Sequence, residues 1–345
     1  MDGTSTRKYL SPWNLIYFVL GSALLVFLLQ QIDFKGLLDL TLRINPAYLA
    51  AGAAIYLVKA LLRAARITRV NAHTHPNFFK MLRLSLASSL ASQLLPLKLG
   101  ELSYVYLVKK DNRAPVAEGL SSLMVIRIFD LLAVGLLFVV IAAVFGFSQG
   151  MAVYFYSILG FMGVLLIFIL TLLFISHQGS SFLDALFSRI PLLEKIPLSA
   201  KARRGLEGIF KNLNRFNWRD FLEWSGFAAA EWFVNYLAYH VILVGIGFAP
   251  TFFATVLAVT FAALASVLPI NSFGNFGTQE AGWATALLLV GFAQNDAIAS
   301  GFATHLLTLG YMLLFGGIAW LTYLLPERAE LHPSIPQKTE EKLPY

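Results

Sequence analysis

Six apolar runs of about twenty residues or more restrict this chain further than any other feature. They cover residues 13–30, 46–67, 117–147, 153–175, 220–247 and 297–325. A helix rises ~1.5 Å per residue, so about twenty apolar residues cross a hydrocarbon core of ~30 Å. Lipid offers the backbone no hydrogen bonds, so each run must satisfy its own N–H and C=O groups by coiling into a helix. The charged content fits: only 13% of the 345 residues are Asp, Glu, Lys or Arg and 58% are hydrophobic. A water-facing surface takes about 25% charged residues. The fold class expected is an all-α polytopic membrane protein with about six transmembrane helices.

Two further apolar pieces are broken. Residues 78–95 are followed by 101–109, and 251–268 by 280–293, with Pro and Gly at each break. The second members are too short to cross at ~1.5 Å per residue. Such pairs read as re-entrant helical hairpins, tolerated at depth where they line a protein cavity.

The net charge of +7 sits between apolar runs rather than among aromatics spaced for bases, so no nucleic-acid partner is expected. Residues 59–83 carry six cations (Lys59, Arg63, Arg66, Arg69, Lys80, Arg83) and no acid. The loop 176–219 carries eight. Under the positive-inside rule these face the cytoplasm, which puts both termini inside and brings one hairpin in from each side. Arg63, Arg66 and Arg69 are expected to set orientation and touch anionic lipid rather than line a cavity. Residues 1–330 then form one transmembrane domain with a basic cytoplasmic loop at 176–219, and 331–345 form a flexible tail. The run at 13–30 has no cleavage site after it and reads as the first span, not a signal. With no cysteine, thiol chemistry and thiolate metal sites are excluded.

The two breaks resemble each other. "SLASSLASQLLPLKLGEL" (85–102) and "FAALASVLPINSFGNFGTQEA" (261–281) each end a small-residue helix near Pro, pass a glycine-bearing break and open a second helix at Glu. Glu101 is followed 26 residues later by Arg127, and Glu280 is followed 25 later by His305. Pseudo-repeats over about 46–147 and 220–325, entering from opposite sides, make an inverted repeat of the kind that builds a midplane transport site. In the second break one helix is expected to end at Pro269 and the next to begin near Gln279. Freed N–H groups there suit an anion such as phosphate.

These residues also carry a family resemblance. "LPLKLGEL…VIRIFDLL" and "LPINSFGNFGTQEAGWA" are similar to the two signature regions of the lysylphosphatidylglycerol synthase transmembrane region, the flippase-like domain of the multiple peptide resistance factor. Pro96, Gly100, Glu101, Arg127, Asp130, Pro269, Gly277 and Glu280 match its pattern. Ser272-Phe273-Gly274 replaces an expected Pro-Gly-Gly, Tyr104 stands where Arg is usual, and His305 where Arg is common. No aminoacyl-transfer domain is expected after the last span. The resemblance implies lipid translocation without the synthase step, and leaves the head group open.

The candidate substrate-binding residues are Arg127, Asp130, Glu101, Glu280, Asn271, Ser272, Asn275, Gln279, Glu231 and His305. Arg127 and Asp130, at i and i+3, either lock packing or hold substrate, with Arg127 favoured for phosphate because a guanidinium fork matches its oxygens. Glu101 and Glu280 either bind a cationic head group, carry a coupling proton or cap their helices. Asn271, Ser272 and Asn275 can satisfy loop backbone or a head group. Glu231, Asn235 and Tyr239 share one helical stripe, as a cavity wall or a hydrogen-bond seam. His240 and His305 show no metal spacing and read as hydrogen-bonded packing residues. No metal and no cofactor are expected. The leading function is a lipid flippase or transporter for a phospholipid or glycolipid. The alternatives are an accessory subunit of an envelope-lipid complex and a membrane-embedded lipid-modifying enzyme, for which no catalytic motif appears. The partners implied are a membrane lipid and, as protein partner, a second copy or a lipid-synthesising enzyme.

Overall fold

The computed structural model describes residues 26–28, 30, 41–42, 44–95, 99–112, 114–145, 217–267 and 273–325, with scattered positions between 152 and 171. The expected spans 13–30 and 153–175, the loop 176–219 and the tail fall wholly or largely outside the described residues. So do Pro96, Pro269, Asn271 and Ser272.

Every described element is helical. The first group is α1 (Pro46–Val70), α2 (Phe78–Leu94), α3 (Glu101–Asn112) and α4 (Val116–Phe145). The second is α5 (Trp218–Gly245), α6 (Phe252–Ala265), α7 (Thr278–Leu289) and α8 (Gln294–Tyr311), which runs through a π-helical turn, Met312–Gly316, into α9 (Gly317–Leu324). The order long, short, short, long thus occurs twice. Four described helices are long and apolar enough to cross a membrane: α1, α4, α5 and the continuous Gln294–Leu324. They present Leu57, Val58, Leu61, Leu136, Val140, Ile318 and Leu321 outward, a surface suited to lipid and not to water. The chain is an all-α membrane protein.

Local chemistry sets the helix ends. Asn45 accepts from the Ala47 N–H at 2.9 Å, with Pro46 in the first turn, where its missing N–H costs nothing. Asn217 and Asp220 exchange side-chain to backbone bonds at 3.0 Å each, closing a capping box on α5. Thr251 caps α6 through the Ala254 N–H. That helix stops at Ala265, four residues short of the expected Pro269. Ser266 Oγ donates to the Ala262 carbonyl at 2.8 Å, and the Val267 N–H turns back to Leu264, so the last turn closes before proline is reached.

The short helices pair: α2 packs on α3 and α6 on α7. Gly100 makes the first pairing possible, since a Cβ there would fall 2.0 Å from the Ala91 carbonyl oxygen. The long helices α1 and α5 share the most extensive interface. The halves also exchange contacts reciprocally, α6 against α4 and α2 against the π turn and α9. This arrangement places both breaks at one central junction.

Candidate functional site

A cavity of about 430 Å³ lies at that junction. Its walls come from α1, α2, α4, α5, α6 and the segments opening α3 and α7. Of the expected residues, Glu101, Arg127, Asp130, Glu231, Asn275 and Gln279 line it. Sequence positions 101 to 279 therefore converge on one polar space surrounded by apolar helices.

Its charges form a connected chain. Arg66 Nη2 donates to Asp130 Oδ1 at 2.7 Å and lies 2.8 Å from Glu231 Oε2. Asp130 also accepts from Trp232 Nε1 at 3.2 Å. Its second oxygen takes Arg127 Nη1 at 3.4 Å, and Arg127 Nη2 reaches Glu101 Oε1 at 2.9 Å. The chain runs Glu231, Arg66, Asp130, Arg127, Glu101, tying α5, α1, α4 and α3 together. A charge buried in an apolar setting persists only when paired, and here each carboxylate has a guanidinium.

The basic stripe of α1 departs from its expected role. Arg66 is 1% exposed, and Arg63 and Lys59 line the cavity; only Arg69, paired with Glu223 at 3.1 Å, sits in an exposed position. The reading of Arg63 and Arg66 as residues that touch lipid rather than the site is corrected, whereas Arg69 stays exposed and outside the cavity. Lys59, Arg63 and Arg66 fall at i, i+4 and i+7, one face of a helix, and that spacing was the available signal. It was obscured because cations near a span end are the usual mark of the cytoplasmic side.

The α5 stripe is both things it was read as. Glu231, Asn235 and Tyr239 line the cavity, while Glu231 faces Arg66 and Asn235 accepts from Lys59 Nζ at 2.7 Å. His240 is a packing residue bonded to Thr255 Oγ1 at 2.9 Å.

Glu280 and His305 do not line the cavity. They contact each other behind it, 0% and 1% exposed. Glu280 Oε2 accepts from the Gly277 N–H at 2.7 Å, a capping contact at a residue with φ of 94°, where glycine is favoured. His305 stacks on Phe276 with ring centroids 4.3 Å apart and meets Gln93 through its other nitrogen. Gln93 lines the cavity, donates to the Gly274 carbonyl at 3.2 Å and accepts from Asn275 Nδ2 at 3.3 Å. This residue, absent from the sequence-based set, joins the first break region to the second. Among the described residues, no group of three or more His, Asp or Glu side chains converges as a metal site would.

No curated protein and no solved structure matches the chain. The family model of the lysylphosphatidylglycerol synthase TM region does match, over residues 14–316, which takes in both breaks, the Arg127–Asp130 pair and the whole cavity. The chain belongs to the lysylphosphatidylglycerol synthase TM region family, a membrane family with a lipid-related role.

Proposed function

We propose that this protein moves a phospholipid or glycolipid with a polar head group between the leaflets of the cell membrane. The head group rests in the cavity, and the acyl chains stay in lipid beside the long helices. Both termini lie in the cytoplasm and the two short-helix pairs enter from opposite sides, which gives the site alternating access.

The observation that carries this reading is the charged cavity at the meeting point of the two helix breaks. Discontinuous helices at depth are costly unless they line a polar space, and here they do. Because ion pairs between α1, α3, α4 and α5 cross the cavity wall, rearranging them would open one face while the other stays closed. The protein supplies binding and a polar path; no bond is made or broken.

The test is a scrambling assay in proteoliposomes with head-group-labelled lipid. Loss of label from the inner leaflet, at a rate above that of protein-free vesicles, is the expected result. A well-folded, reconstituted protein that leaves the inner leaflet untouched would instead be an accessory subunit.

A further inference from the structure

Among the described residues, the charges around the cavity do not balance. Four cations, Lys59, Arg63, Arg66 and Arg127, stand against three carboxylates, Glu101, Asp130 and Glu231. Arg66 and Arg127 are held by all three carboxylates. The remaining two cations have no carboxylate in ion-pair contact among the described residues. Lys59 is bonded to a neutral amide, Asn235, at 2.7 Å. Arg63 has a buried Nε without a hydrogen-bond partner and is close enough to feel the charges of Lys59 and Asp130.

These two residues sit one turn apart on α1, so their heads approach one region of the cavity wall. Trp232 and Trp283 also line the space. An unpaired guanidinium beside an ammonium, inside apolar helices, strongly attracts one negative charge, and phosphate oxygens match the guanidinium fork. Arg127 is the weaker candidate for that role, because both of its Nη atoms are already committed to carboxylates.

We infer that Arg63 and Lys59 form the anion subsite of the cavity and select a lipid whose head group is net negative through its phosphodiester. This rests on the proposed lipid-binding role of the cavity and specifies the charge of its ligand. A zwitterionic head group brings a cation that the surplus charge disfavours, and a cationic one is disfavoured more strongly.

Native mass spectrometry of the full chain tests this, with the protein released from non-ionic micelles doped with phosphatidylglycerol and phosphatidylcholine in equal amounts. The parent protein should retain phosphatidylglycerol over phosphatidylcholine by about tenfold or more, as a charge-assisted contact allows. Arg63→Gln and Lys59→Gln should erase most of that preference, while Arg69→Gln, on the same helix but outside the cavity, should keep it. A parent chain without preference overturns the inference with no variant needed, and so does an Arg63→Gln chain that keeps the parent ratio. Inorganic phosphate that displaces the lipid at equal concentration would make this a free-anion site and overturn the lipid assignment. The two readings fail separately. Selective binding through Arg63 without lipid movement removes the transport role and leaves the subsite, whereas parent-rate movement by Arg63→Gln removes the subsite and leaves transport.

Discussion

Arg127 donates to Glu101 across 2.9 Å, although 26 residues separate them, and the arginine is thereby shared between the start of α3 and the middle of α4. In the second half of the chain Glu280 meets His305 across a separation of 25. In each half, a glutamate at the start of the second short helix is bound by a basic residue of the following long helix. If the halves enter the membrane from opposite sides, their outer ends must differ in accessibility. Single cysteines at Lys110 and Asp296 are simple to read because the chain has none of its own. An impermeant maleimide applied to intact cells should label Asp296→Cys and spare Lys110→Cys. Labelling of both, or of neither until the cells are lysed, would remove the inverted topology.

Arg127 is bidentate to two different carboxylates, Nη2 on Glu101 and Nη1 on Asp130. An ammonium cannot span both at those distances. Arg127→Lys should therefore behave more like Arg127→Gln than like the parent, with lipid movement reduced about tenfold or more while the protein still purifies as one species. A Lys variant with parental activity would show that only the charge matters there.

Much of this was legible in the sequence because bilayer physics is strict about length. The boundaries of α1, α4 and α5 follow the apolar runs to within a few residues. The short pairs follow from runs too brief to cross. The acid partners of the cavity were found because an ionisable residue inside an apolar run stands out. The cations of α1 were not, because Lys59, Arg63 and Arg66 lie toward the end of a run, where positive charge has an ordinary explanation, whereas Arg127 stood out as the acids did. Only the partners, Asp130 and Glu231, which lie 64 and 165 residues further along, distinguish a cavity arginine from a topology arginine. Gln93 was hidden for another reason: an amide on a small-residue helix has no charge to mark it.

Arg66 is the keystone of the ion-pair chain, since it joins Asp130 and Glu231 from one buried nitrogen. Arg66→Met leaves Glu231 without its guanidinium and Asp130 with Arg127 alone, and breaking a buried pair costs about 3–5 kcal/mol. The variant should lose thermal stability in detergent and aggregate on extraction. Adding Glu231→Gln to Arg66→Met should recover part of the loss, because one uncompensated charge is removed. Parental melting behaviour in Arg66→Met would mean that the pairs contribute nothing to the fold.

Gly100 tests the first helix pair. A methyl group there would sit 2.0 Å from the Ala91 carbonyl oxygen, so Gly100→Ala forces α2 and α3 apart. Overpacking of this kind costs about 1–3 kcal/mol or more. Because Glu101 is the next residue, the Arg127 contact should be disturbed as well, and lipid movement should fall along with stability. Gly310→Ala, where a Cβ meets nothing within 4 Å, is the matched control and should change neither. An equal loss in both variants would separate the effect from the helix pair.

The most direct measurement of the central claim is lipid scrambling by Arg127→Gln and Glu280→Gln in proteoliposomes, compared with the parent at equal reconstituted amounts. Arg127 lines the cavity, and Glu280 holds the second break behind it through Gly277 and His305. Glu280→Gln keeps side-chain bulk while removing the carboxylate, and Arg127→Gln removes the guanidinium and its charge. The account predicts that both variants insert and purify as single species yet move lipid no faster than protein-free vesicles. Both variants moving lipid at the parent rate would contradict it, and would make these residues parts of the scaffold alone.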